Sequence, residues 1–201
     1  MKVLIIYCHP SKNSYTYEIL QQLKSNLKNE KIDFQVSDLY AINFQTDMSE
    51  EEYQREGFAN LDIPIANDVK KEQKKIALAD CIIFLYPVWW SDCPAKLKGW
   101  FDRVYSVGYA YGNDKVIDKN QVMKQVHQGI VICTAGHSNK FLEEIGIAKS
   151  MKNVMLDDRL GKRFNKKEMI LLGGTLNKED VRLMHSERIN SIVKRIKKNF
   201  N

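Results

Sequence analysis

Five short apolar runs, each followed by a stretch of helical or polar chain, constrain this fold more than any other feature. KVLIIYC (Lys2–Cys8) and CIIFLYP (Cys81–Pro87) are apolar throughout, without the polar alternation of a half-exposed strand. Runs of this kind read as strands buried on both faces. DFQVSDLY (Asp33–Tyr40), GIVICTAG (Gly129–Gly136) and EMILLGG (Glu168–Gly174) supply a second, a fourth and a fifth strand. Helical periodicity fills the intervals. From about Tyr15 to Asn29, Ile19, Leu20, Leu23 and Leu27 share one face. A capping-box pattern, Ser49 three residues before Glu52, starts a short helix. Further helices are read over about Asn67–Ala79, Pro94–Tyr105 and Lys178–Lys198. Pro94 stands near a first turn, where its missing N–H costs nothing. Val181, Met184, Ile192, Val193 and Ile196 form the last apolar stripe. Strands alternating with helices predict an α/β fold, a doubly wound five-stranded parallel sheet with helices on both faces. A chain of 201 residues suits one such domain, spanning 1–201.

The remaining composition mostly excludes. The net charge is +6, and much of the excess lies in VKRIKKNF near the end. That run reads as a solvated helix face or as a docking face, and no nucleic-acid motif accompanies it. Cys8, Cys81, Cys93 and Cys133 form no CxxC pair and no metal spacing. The first apolar run is too short for a secretory signal, and none is long enough to span a membrane. These features predict a cytoplasmic protein with reduced thiols, no membrane insertion, no nucleic-acid partner and no metal.

In a doubly wound sheet, ligands bind beyond the carboxyl ends of the strands, near the switch in strand order. The loops after the first, third and fourth strands are therefore the ones to watch. The first, HPSKNSYT, offers His9, Ser11, Asn13, Ser14 and Thr16 at a helix entrance. Such a terminus has free N–H groups and suits a phosphate, although plain capping by Ser or Asn explains the same residues. No G-x-G-x-x-G and no G-x-x-x-x-G-K-S/T is present. The third-strand loop carries Trp89 and Trp90. In an extended segment they point to opposite faces, so that one can enter the core while the other needs a separate cover. The pair reads either as core or interface, or as a wall for a flat ligand. The fourth-strand loop offers backbone N–H groups from Thr134 to His137, with small residues permitting close approach. A lone His137 reads equally as a surface histidine. Together the three loops describe a pocket for a phosphorylated planar cofactor, and a flavin fits better than a nucleoside triphosphate.

HPSKNSYTYEIL, SDLYAINFQTDMS, the stretch EQKKIALADCIIFLYPVWWSDCPAKLKGWFDRVYSVGYAY and, more weakly, TAGHS resemble the flavodoxin-fold NAD(P)H:quinone oxidoreductases. The run PAKLKGWFDRV after P-x-x-W is the most specific part. The resemblance implies a flavodoxin-like fold and flavin, as FAD or alternatively FMN, with NAD(P)H as co-substrate. It implies hydride transfer from NAD(P)H to flavin N5, then ping-pong, two-electron reduction of a quinone, azo or nitroaromatic acceptor. Residue by residue, it gives His9, Ser11, Ser14, Tyr15 and Thr16 to the flavin phosphate. Pro87, Val88, Trp89 and Trp90 go to the ring, and Thr134, Ala135, Gly136 and His137 to its pyrimidine side. Tyr109 and Tyr111 match the segment that closes the substrate pocket, often from the partner of a homodimer. The catalytic expectation falls on His137 and Tyr111. Mammalian members carry a Tyr and a His after the fourth-strand loop; here Phe141 and the neighbourhood of Ile147 stand in their place. Some bacterial relatives are ancillary subunits of potassium-efflux systems, which supplies the alternative of a regulatory subunit.

Overall fold

The structure, a computed structural model, describes residues 1–112 and 122–200. Its sheet contains β1 (Lys2–Tyr7), β2 (Asp33–Asp38), β3 (Cys81–Pro87), β4 (Val126–Thr134) and β5 (Phe164–Leu172). They lie in the order β2-β1-β3-β4-β5, every neighbouring pair parallel. The helices are α1 (Tyr15–Asn29), α2 (Glu50–Phe58), α3 (Asn67–Leu78), α4 (Ala95–Val104), α5 (Asn139–Glu144), α6 (Ile147–Lys152) and α7 (Lys178–Phe200). An i→i+5 helical segment, Asn153–Leu160, continues α6. This is the doubly wound flavodoxin-like arrangement expected from the alternating runs.

Alternation within apolar strands divides the core in two. Leu4 and Ile6 of β1, with Ile82, Phe84 and Tyr86 of β3, pack with Ile76 of α3 and Leu97, Trp100 and Val104 of α4. Val3, Ile5 and Tyr7, with Ile83 and Leu85, face Leu23 and Leu27 of α1 and Ile189, Val193 and Ile196 of α7. The sheet register then levels the carboxyl ends. Tyr7 is opposite Asp38 and Leu85, Pro87 opposite Thr134, and Thr134 opposite Leu172. That alignment brings the loops after β1, β3 and β4 to one end of the sheet.

Three boundaries differ from the sequence reading. β2 stops at Asp38 because its carboxylate accepts the N–H groups of Tyr40 (3.2 Å) and Ala41 (3.1 Å), turning the chain. β4 and β5 begin earlier, at Val126 and Phe164. Their opening residues, VHQ and FNKK, are mixed or polar and give no apolar run, since β5 is an edge strand with Asn165, Lys166 and Lys167 exposed. The helical stretch Asn139–Leu160 has no counterpart in the sequence reading. The capping box at Ser49 and Glu52 is present in both directions, at 2.9 and 3.1 Å. Among the described residues no helix is long and apolar enough to cross a membrane.

Candidate functional site

The loop after β1 folds on itself before entering α1. The Ser11 N–H donates to His9 Nδ1 (3.0 Å), the Asn13 N–H to Ser11 Oγ (3.1 Å), and Ser14 Oγ to the Ser11 carbonyl (2.9 Å). The Ser11 carbonyl also lies 3.1 Å from His9 Nδ1, so Nδ1 accepts the N–H in one tautomer and donates to the carbonyl in the other. Burial lowers the His9 pKa, against the smaller opposing pull of Ser11. Ser14 caps α1 by accepting the Tyr17 N–H at 3.1 Å. Among the described residues, the N–H groups of Tyr15 and Thr16 have no partner. They stand at the positive end of the α1 dipole.

Two of the predicted hydroxyls are engaged elsewhere. The Tyr15 ring leaves the loop for α7, and its hydroxyl lies 2.9 Å from His185 Nδ1. Its contribution to the loop is therefore its backbone N–H. The buried Thr16 Oγ1 lies 2.7 Å from Thr134 Oγ1, tying the loop after β1 to the end of β4. The Val88 N–H donates to the Thr134 carbonyl (2.8 Å), and the His9 and Trp89 rings meet edge-on with centroids 5.9 Å apart. Thr134 thus holds all three loops together.

The expectation that one tryptophan enters the core is overturned. The chain turns tightly after Pro87: Trp89 and Asp92 exchange N–H···O=C bonds of 2.9 and 3.2 Å. Trp90 and Ser91, the two central residues, have φ of +48° and +64°. Trp89 is 42% exposed and the Trp90 ring is wholly so. Opposite-face geometry applies to an extended segment, and a two-residue turn removes it.

After β4, the Ala135 N–H is occupied by the Leu172 carbonyl (3.0 Å), so the expected donor row shortens. Among the described residues only the N–H groups of Gly136 and His137 remain without a partner there. His137 is exposed and tilted over Phe141, with centroids 4.7 Å apart. Thr175, in the loop after β5, gives both its N–H and its Oγ1 to the Ala135 carbonyl at 3.0 Å. No sequence pattern signalled that residue or His185.

Tyr109 and Tyr111 are not brought to these loops. They follow α4, whose ten residues carry the chain about 15 Å back toward the amino ends of the strands. There the Tyr111 hydroxyl donates to Glu56 Oε2 (2.9 Å), which also accepts the Val107 N–H at 2.6 Å. Burial, with the Glu56 carboxylate adding to it, raises the Tyr111 pKa to about 12. Within one chain Tyr111 is therefore a neutral hydrogen-bond donor remote from the three loops.

A parallel β2-β1-β3-β4-β5 sheet with converging loops at its switch point defines a flavodoxin-like protein. The model of the flavodoxin-like fold family matches residues 1–162. An NAD(P)H:quinone oxidoreductase from Methanothermobacter marburgensis is 39% identical, with a TM-score of 0.87, over 98% of this chain and 96% of that one. An uncharacterized NAD(P)H oxidoreductase of Haemophilus influenzae is 34% identical over 78% of this chain and 75% of its own length. The rat NAD(P)H dehydrogenase (quinone) 1 is 31% identical over 77% of this chain and 60% of its own. The chain spans between about half and three quarters of the length of the curated relatives it matches. It belongs to the flavodoxin-like family and, within that, to the NAD(P)H:quinone oxidoreductases.

Proposed function

We propose that this chain is a flavin-dependent NAD(P)H:quinone oxidoreductase, acting as a homodimer on a quinone or a related aromatic acceptor. One observation carries the reading. The Thr16–Thr134 and Val88–Thr134 bonds gather three loops at the switch point, beside two pairs of N–H groups, at the start of α1 and after β4, that have no partner among the described residues. The Tyr15 and Thr16 pair, with the Ser11 hydroxyl nearby, suits a phosphate at a helix N-terminus. The Gly136 and His137 pair suits the electron-rich edge of a planar ring. The turn carrying Trp89 and Trp90 supplies an aromatic border between them. That donor set fits a flavin.

When bound, the flavin supplies hydride chemistry between a nicotinamide and the acceptor. The chain's own residues bind and orient. Neutral His9 holds the phosphate loop in shape and borders Trp89. The Val88 backbone is fixed by the Thr134 carbonyl, which sets where a ring can rest. FAD is the first cofactor to test, and FMN the alternative, because the ring and the first phosphate place the same demand on these loops. Tyr109 and Tyr111 would serve the site of a partner copy.

The test is reconstitution. Purified protein is mixed with excess FAD or FMN, desalted, and scanned in the visible. The expected result is about one flavin retained per chain, followed by NAD(P)H-dependent reduction of menadione with ping-pong kinetics. Loss of all flavin on desalting would overturn the reading.

A further inference from the structure

The turn that carries Trp89 and Trp90 is an unfavourable one for its sequence. Positive φ at both central residues is the geometry that Asn-Gly or Gly-Gly adopts readily. Here the two residues are Trp90 and Ser91, at +48° and +64°. L-residues resist that conformation, so it persists only where its surroundings over-determine it.

The surroundings do so through one buried side chain. Arg159, in the i→i+5 segment after α6, is 8% exposed. Its guanidinium grips the Asp92 carboxylate with both prongs, Nη1 to Oδ1 at 2.7 Å and Nη2 to Oδ2 at 2.8 Å. It lies over the Phe101 ring, 5.4 Å from the centroid, with Cys93 Sγ and Met155 Sδ at 3.4 and 3.1 Å. Its own carbonyl is held by Arg163 Nε and Nη2, at 3.2 and 2.9 Å. Asp92 Oδ1 also accepts the Cys93 N–H at 2.7 Å. Burial opposes the Asp92 charge, but these hydrogen bonds outweigh it and hold the carboxyl below the usual carboxylate range. A planar fork on a planar carboxylate fixes direction as well as distance.

We propose that Arg159 is a positioning residue for the cofactor site: through Asp92 it locks the Trp89–Asp92 turn in its left-handed form, so that Val88, Trp89 and Trp90 are in place before a flavin arrives. The proposal rests on the flavin reading above and extends it to a segment that none of the switch-point loops contains. The lock lowers the ordering cost of binding. It does not touch the reacting atoms.

The experiment titrates FMN and FAD against the parent, Asp92→Asn, Arg159→Met and the double variant, following flavin and tryptophan fluorescence. Arg159→Met leaves a half-exposed Asp92 that water can solvate, whereas Asp92→Asn leaves the buried Arg159 without its counter-charge, so Arg159→Met folds even if Asp92→Asn does not. Ile76→Val, which trims the core face of α3, serves as a destabilised control. Each lock variant is expected to weaken flavin binding about tenfold or more, as loss of a buried charge-assisted pair does. The double variant should be little worse than either single one. Acrylamide quenching of the apoprotein, read in a Trp90→Phe background where Trp89 is the exposed tryptophan and Trp100 is buried, should rise in the same variants, while the control binds as the parent does. Arg159→Lys, which keeps the charge and loses the fork, should fall between parent and Arg159→Met. A parent that binds flavin with all lock variants matching it, or a control that loses binding equally, overturns the lock alone. A parent that binds neither flavin overturns the functional reading, and the lock with it.

Discussion

At the scale of single residues, Thr16 and His185 carry the sharpest consequences. The Thr16 and Thr134 hydroxyls are both buried and 2.7 Å apart. Thr16→Val leaves the Thr134 hydroxyl without that partner, a loss of about 1–3 kcal/mol. Replacing both by Val keeps the shape and removes the unpaired group, so the double variant should recover most of it in urea unfolding. A double variant worse than the sum of the singles would count against this pairing. His185 is fully buried on α7, with Tyr15, Arg188 and the Gly173 backbone facing it. Burial lowers its pKa, the Arg188 charge adds to that, and the Gly173 backbone opposes it. A histidine lowered in the folded state binds protons more readily when unfolded, so its stabilisation is present above about pH 6.5 and fades as pH falls. His9 shifts the same way through burial. The urea midpoint should fall between about pH 7.5 and about pH 5.5, and His185→Gln should flatten the fall. An unchanged slope would show that His185 does not titrate with unfolding. Residue types in the switch-point loops were legible in the sequence, but their orientations were not. Tyr15 turned to a histidine 170 positions away, a partner that local pattern does not encode.

At the scale of elements, legibility followed burial. β1 and β3 are buried on both faces, and their runs showed where they lie. β4 and β5 open with mixed or polar residues, so only their apolar halves were visible. The short helices α5 and α6 offer too few turns for a period to register. Arg159 lies in that unread stretch, 67 positions from Asp92. Other inter-element joints were equally hidden. Glu72 of α3 is 1% exposed and accepts the Trp100 Nε1–H of α4 at 3.0 Å and the Ser37 hydroxyl of β2 at 2.8 Å, with Lys75 beside it. One carboxylate thus joins two helices to a strand. Glu72→Ala leaves a buried indole N–H unpaired and Lys75 without its counter-charge, while the Ser37 hydroxyl keeps Lys75 as its remaining partner, and it should cost about 3 kcal/mol or more. Glu72→Gln retains an acceptor and should cost less. Equal losses would mean that the volume, and not the hydrogen bonds, matters. A second joint is steric: a Cβ on Gly99 of α4 would sit 2.5 Å from the Thr46 carbonyl. Gly99→Ala should therefore lower the unfolding free energy measured in urea by about 1–3 kcal/mol, as overpacking does.

At the scale of the whole molecule, the proposed site is divided. Ser11, Thr16, Trp89 and Gly136 gather at the carboxyl ends of the strands, whereas Tyr109 and Tyr111 follow α4 to the other end of the layer. If both groups serve one acceptor, as the family resemblance implies, two chains must pair across a two-fold axis, the tyrosines of each lying beside the switch-point loops of the other. A two-fold interface creates two equivalent shared sites. That geometry has a consequence no monomer can imitate. A variant crippled in the loops, Thr16→Val with Trp90→Ala, and another crippled at Tyr109 and Tyr111 by change to Ala, should each be nearly inactive. After the two are unfolded together and refolded, half of the dimers should be mixed, and each mixed dimer holds one site with both halves intact. Activity should return to about a quarter of the parent's, because one site in two is restored in one dimer in two. Sedimentation should show a dimer throughout. No recovery in mixed dimers would place the tyrosines in their own chain's site, and full activity of the tyrosine variant by itself would place them outside catalysis. Recovery without a sedimenting dimer would require an exchange that a fixed two-fold pair does not allow.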